Sequence, residues 1–121
     1  MTEHLDLGRK GEEMAKNYLV EKGYKILETN WKSGKNEVDI IALDGEFLVV
    51  VEVKTRQSNK LVEPEAAVNK DKQRALIRAA NAYVRSKNRQ EEVRFDIISI
   101  LLGPAGNNIH HIPRAFYATM F

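Results

Sequence analysis

The 121-residue chain contains no cysteine. Disulfide scaffolds, thiol nucleophiles and cysteine zinc sites are therefore excluded, and a thiol-free chain suits a reducing, cytoplasmic location. Apolar runs are short. The longest span five residues, Phe47 to Val51 for example, against the ~20 that a transmembrane helix needs, so no membrane partner is expected. The polar start Met1-Thr2-Glu3-His4 lacks the form of a secretion signal. Neither sign of charge dominates: 19 Lys+Arg against 17 Asp+Glu leave +2. That is not the balance of a chromatin-type DNA binder, so any nucleic-acid surface has to come from how the charges are distributed. No repeat, low-complexity tract or dividing linker is present. No serine elbow or kinase signature occurs, and Gly8 and Gly11 lack the preceding strand that a nucleotide-binding glycine loop needs.

What is present reads as one domain over residues 1–121, at 43% hydrophobic and 30% charged residues. About two-thirds of the unfolded surface can be buried at this length. A first helix is expected from Asp6, as N-cap, to Lys22, with Gly23 as its stop. Three strands follow at Tyr24–Trp31, Glu37–Leu43 and Phe47–Lys54, the last two joined by a turn at Asp44-Gly45. Thr55 to Val68 reads as a loop. A second helix runs from Lys70 to Lys87, capped by Asn69, and a strand covers Val93–Leu102. The tail from Asn108 to Phe121 is ambiguous and reads as a last strand and a docked end. The order α-β-β-β-α-β describes an α/β fold with a mixed central sheet flanked by helices.

The informative residues are charges where the pattern asks for apolar side chains. A turn at Asp44-Gly45 pairs Leu43 with Glu46, Ile41 with Leu48, Asp39 with Val50 and Glu37 with Glu52. Alternation then puts Glu37, Asp39, Glu52 and Lys54 on one face with Ile41, Leu43, Leu48 and Val50. The other face, with Val38, Ile40, Ala42, Val49, Val51 and Val53, is wholly apolar. A sheet so patterned is expected to be covered on both sides. Crowded acids in a covered layer are costly, and a divalent cation reached by Asp39 and Glu52 resolves the conflict. Lys54 partly balances the acids or points at a water. The plain alternative is an exposed face of ion pairs, with Lys54 joined to Glu52.

The helices repeat the anomaly. Glu12 falls within the apolar stripe of Ala15 and Leu19, whereas Glu13 points to solvent. Lys72 shares an inward stripe with Leu76, Ala79 and Tyr83, or snorkels out from the first turn. Lys70, Arg74, Arg78 and Arg85 form an outward stripe, a solvated face that becomes a phosphate-contacting face if the acids cut nucleic acid. His110 and His111 are adjacent, point to opposite faces of a strand and read as structural or surface residues. Arg94 and Asp96 share a face and read as an edge ion pair.

Asp39, twelve intervening residues and then Glu52-Val53-Lys54 resembles the signature of the PD-(D/E)XK nuclease superfamily. More closely, the chain resembles the YraN family of small bacterial proteins, related to Holliday-junction resolvases. The pieces are Gly8-Arg9-Lys10-Gly11-Glu12 with Ala15; Asn36-Glu37-Val38-Asp39; Val51-Glu52-Val53-Lys54 with Arg56; Ala67-Val68 with Lys72; and Arg94-Phe95-Asp96. Asn36 stands where relatives usually have glycine, and Leu61-Val62 where many have Phe-Gly. The resemblance implies a restriction-endonuclease-like fold and a catalytic set of Glu12, Asp39, Glu52 and Lys54. Magnesium or manganese would be held by Asp39, Glu52 and the Val53 carbonyl, with Glu37 supporting them. Arg56, Lys70, Lys72, Arg74 and Arg78 would contact nucleic acid, DNA of structured or branched geometry, and a homodimer is compatible. The expected function is metal-dependent endonucleolytic or resolvase-like phosphodiester hydrolysis. The alternative is a non-catalytic nucleic-acid-binding protein that keeps the fold.

Overall fold

A computed structural model describes residues 2–57 and 68–118 of the chain. Helix α1 covers Thr2–Glu21, and strands β1, β2 and β3 cover Lys25–Ser33, Asn36–Asp44 and Phe47–Gln57. Helix α2 spans Lys70–Lys87, followed by β4 at Glu92–Gly103 and β5 at Gly106–Phe116. The strands form one sheet in the order β1-β2-β3-β4-β5. All neighbours are antiparallel except β3 and β4, whose parallel pairing follows from the α2 crossover between them. This mixed sheet, flanked by two helices, is consistent with a restriction-endonuclease-like fold. Among the described residues no helix is long and apolar enough to cross a membrane.

The boundaries differ instructively from expectation. Helix α1 begins at Thr2, not Asp6; the Asp6 side chain lies outside the described residues, as do Leu61, Val62 and Ala67. Helix α2 has the expected bounds because its caps are strong. Asn69 accepts the Lys72 N–H at 2.8 Å, and Asn88 adopts the left-handed φ of 52° at the other end. The ambiguous tail becomes β5, which adds a strand to the expected order.

The β2–β3 hairpin is shifted by two residues from the expected register. Asp44 pairs with Phe47, Leu43 with Leu48 and Ile41 with Val50. Gly45, at φ 57°, thus takes the first position of the two-residue loop, where positive φ is required, and Asp44 stays in the strand. Because the side-chain period is two, this slip leaves the faces unchanged.

Two core layers result. Helix α2 packs Leu76, Ala79, Ala80 and Tyr83 onto Ile41, Leu48, Val50 and Phe95. Helix α1 packs Ala15 and Leu19 onto Ile40, Ala42, Val49, Val51 and Ile98. Val38 departs from the pattern: it joins the α2 layer although Ile40 lies in the α1 layer. Residues two apart in a regular strand share a face, so the alternation of β2 inverts between them, at Asp39.

Helix α1 lies very close to β3. A Cβ placed on Gly11 would overlap the Thr55 side chain and stand 2.8 Å from its Cβ and Cγ2, whereas one on Gly8 meets nothing within 4 Å. Gly11 is thus a packing glycine. Gly11→Ala should lower stability by ~1–3 kcal/mol, the usual cost of overpacking, and Gly8→Ala should leave it equal or raise it by up to ~1 kcal/mol. Urea unfolding of both variants measures this; equal midpoints would mean that α1 sits further from Thr55.

Candidate functional site

The recorded pairing of β2 with β3 ends at Ile40 and Val51. Beyond it β3 stays paired with β4 as far as Gln57 and Leu102, and β2 stays paired with β1 as far as Asn36 and Ser33. The sheet therefore forks between its second and third strands. The next register step sets Asp39 across from Glu52, not diagonal to it as the expected hairpin had it. Inside the fork Asp39 Oδ2 accepts the Val53 backbone N–H at 2.8 Å, so a carboxylate satisfies an amide that the ladder leaves free.

The strand opposite is irregular where Asp39 lies, although its register is unbroken there. Thr29 pairs with Ile40 and Trp31 with Val38, but Asn30 and Asp39 are skipped. Asn30 has a left-handed φ of 52°, a conformation asparagine tolerates better than most residues. Asp39 therefore lines a cavity on the α1 side with Glu12 and Asn30, instead of joining Ile41 on the α2 face. Glu52 keeps to the α2 face, where its Oε2 lies 3.8 Å from Lys72 Nζ. The two acids reach the fork from opposite layers. The expectation that they share one regular face is corrected, and their meeting is retained by the fork.

The electrostatics are those of crowded, sheltered acids. Burial pushes the Glu52 carboxyl up to about 7; Asp39 adds to the rise, and Lys72 and Lys54 oppose it. Burial likewise raises Asp39 against the Val53 N–H bond and the Lys72 charge. Glu12 is raised by burial and then by Asp39 and Glu37, while an Asn30 side-chain hydrogen bond opposes this. Glu52 Oε1 is buried without a hydrogen-bond partner.

That orphaned oxygen fits a cation, as does the donor set of two carboxylates and the Val53 carbonyl. Among the described residues no three His, Asp or Glu side chains gather as a metal-holding group.

The other expected residues separate. Lys54 and Arg56 are half-buried on β3 beyond Glu52. Glu37 lies near the surface, 3.9 Å from Lys32 Nζ, and acts on Glu12 and Asp39 only through its charge. Lys72 belongs to the fork, through Glu52, rather than to the outer stripe. Lys70, Arg74 and Arg78 are exposed, with Arg74 beside Asp71 at 3.4 Å. Glu13 is exposed, as expected, and pairs with Lys16 at 3.6 Å.

Arg94 and Asp96 do pair, at 2.9 Å, but on an interior strand and almost wholly buried, not at an edge. Asp96 also binds His111 Nε2 at 2.7 Å and the Arg114 N–H at 3.1 Å. These bonds hold Asp96 below its usual value against the opposing effect of burial. With Asp96 ionised, His111 Nε2 carries the proton and Nδ1 accepts from Tyr18 Oη at 3.2 Å. Arg94 continues to Asp44 at 2.8 Å and Tyr24 Oη at 2.7 Å. His111 is structural, as read. Sequence reasoning missed Asn30, whose one signal was an asparagine inside a strand pattern, and the packing role of Gly11.

The crowding has a testable sign. In chelator, folded Glu52 titrates near 7 and unfolded glutamate near 4.3. Between those values the folded state binds more protons, so stability is greatest below the unfolded value and falls as pH rises through about 7. Glu52→Gln should flatten that fall, recovering ~3–4 kcal/mol at pH 8. Thermal midpoints from pH 5 to 8 decide; an unchanged slope in the variant would show that Glu52 is not strained.

The family described as "Uncharacterised protein family UPF0102" matches residues 11–100. A UPF0102 protein of Parabacteroides distasonis is 48% identical over 118 residues, 98% of each chain. One from Thermodesulfovibrio yellowstonii is 44% identical over 113 residues, 93% of this chain and 97% of that protein. One from Flavobacterium psychrophilum is 45% identical over 117 residues, 97% and 98% of the two chains. With a family match over most of its length and relatives covering nearly all of it, the chain belongs to the UPF0102 family, the YraN family that its motifs resemble.

Proposed function

We propose that this protein is a metal-dependent nuclease of PD-(D/E)XK type, acting on DNA of structured or branched geometry. The observation that carries the reading is the fork: two carboxyls from opposite layers face it, one of them, Glu52, with a buried oxygen that has no partner, and Lys54 stands two residues beyond Glu52. Magnesium or manganese, held by Asp39, Glu52 and the Val53 carbonyl, would polarise a phosphoryl oxygen and lower the pKa of a water. The chain's own residues do the rest. The Val53 N–H fixes Asp39. Lys72 holds Glu52 in place from α2, and the Lys54 ammonium orients the attacking water and offsets charge developing on the phosphoryl group. Glu12, facing the α1 side, receives a proton from that water. The water oxygen bonds to phosphorus, the P–O bond to one sugar breaks, and the leaving oxygen takes up a proton from solvent water.

Arg56, on β3 beyond the acids, would meet the phosphate backbone of the bound strand. A cytoplasmic location and a homodimer fit this reading. A non-catalytic nucleic-acid binder is the second reading, favoured by one observation: among the described residues no group of three His, Asp or Glu side chains gathers in the fork.

Lys54 separates the two readings. Lys54→Met should lower a manganese-stimulated, chelator-sensitive cleavage rate by roughly a hundredfold or more, the loss seen for one preorganised electrostatic donor. DNA affinity in calcium should change little. Cleavage of linear, flapped and four-way DNA by both proteins is the assay. No wild-type cleavage of any form, or full activity in the variant, would remove the enzyme and leave the binder.

A further inference from the structure

The fork is not open equally on its two sides. From the α2 side Lys72 reaches Glu52. On the α1 side lies a cavity of about 250 Å³, walled by Asp39, Glu12 and Asn30 and bordered by Arg9 and Lys16. Pockets that enclose whole small molecules run from ~300 to 1,000 Å³. This one is sized for a phosphodiester and part of a sugar, a piece of a strand passing by rather than a free nucleotide held whole.

Arg9 and Lys16 are seven residues apart, so they lie on one face of α1 about 10 Å apart along its axis. Glu12 stands between them, within the same cavity lining. Three acids, Glu12, Glu13 and Asp39, also border the cavity and would repel a phosphate, so cations at its two ends are what makes anion entry feasible. Among the described residues Lys16 pairs with Glu13, at 3.6 Å, with both side chains partly exposed; such a pair is worth little and is readily exchanged for a phosphate.

We propose that the nucleic-acid backbone runs along α1, with Arg9 and Lys16 holding the phosphates on either side of the one that sits over Asp39. This rests on the nuclease reading and adds to it the path of the strand and two positioning residues. Helix α2 packs on the opposite face of the sheet from α1, and Arg74 and Arg78 are exposed on it. A phosphate in the α1 cavity is out of their reach.

The test is fluorescence anisotropy with fluorescein-labelled duplex and four-way DNA, in calcium so that binding is read without cleavage, from 50 to 200 mM salt. Arg9→Ala with Lys16→Ala should reduce the salt slope of log affinity by about two, one per lost phosphate contact. Arg9→Lys with Lys16→Arg should keep the wild-type slope, which separates lost charge from lost fold. Arg74→Ala with Arg78→Ala should change the slope by less than one. A slope lost in the α2 variant and kept in the α1 variant would overturn the α1 path while sparing the nuclease reading. Wild-type protein that binds neither DNA at any salt would overturn both.

Discussion

A single backbone N–H, that of Val53, sits where β2 leaves β3, and it has to find an acceptor or be buried unpaired. The Asp39 carboxylate supplies that acceptor at 2.8 Å. An unsatisfied buried donor costs about 1–3 kcal/mol, so the bond is what lets two central strands of a closely packed sheet separate. Much else depends on that separation. It frees the end of β3 that carries Glu52 and Lys54 from its β2 partner, gives Glu52 an opposing carboxyl, and leaves a gap that neither core layer fills with apolar side chains.

The surroundings hold the fork rigid. Below it, fully buried Ile40, Ile41, Val50 and Val51 form the last regular rungs of the β2–β3 ladder. At one side Gly11 lets α1 press against Thr55, bringing Glu12 to the cavity. At the other, the Asn69 cap fixes the first turn of α2, which aims Lys72 at Glu52. A separate buried network of Asp96, Arg94 and His111 ties β4 to β5, and through Tyr18, Tyr24 and Asp44 to α1 and β2. It is saturated with partners. The fork is not, and Glu52 Oε1 is the buried side-chain oxygen left over among the described residues. Saturation marks structure, and a leftover acceptor beside crowded acids marks a place built for something else.

Much of this was legible in the chain. Charges on Asp39, Glu52 and Lys54 interrupt runs of Val and Ile, and that conflict alone singled out the site. The cap at Asn69 is equally readable, because capping is a local rule; for Lys72 periodicity leaves an inward and a snorkelling position open, and its side chain reaches Glu52 while 42% exposed. The turn was located but placed one residue early, since Asp-Gly gives two candidate positions and the demand of Gly45 for positive φ chooses between them only in three dimensions. The inversion of β2 at Asp39 was not legible. It goes with the left-handed backbone of Asn30 on another strand, and period-two counting assumes regular extended backbone throughout. Arg94 and Asp96 looked like an edge pair because the tail's strand β5, which makes β4 interior, carries weak patterning.

The central claim is that Asp39 and Glu52 meet in order to hold a cation. The most direct measurement is anomalous diffraction from crystals of the protein soaked in manganese. The account predicts one strong peak in the fork, within coordinating distance of both carboxylates and of the Val53 carbonyl oxygen. A fork without a peak in well-ordered crystals, or manganese bound only elsewhere on the chain, would contradict it.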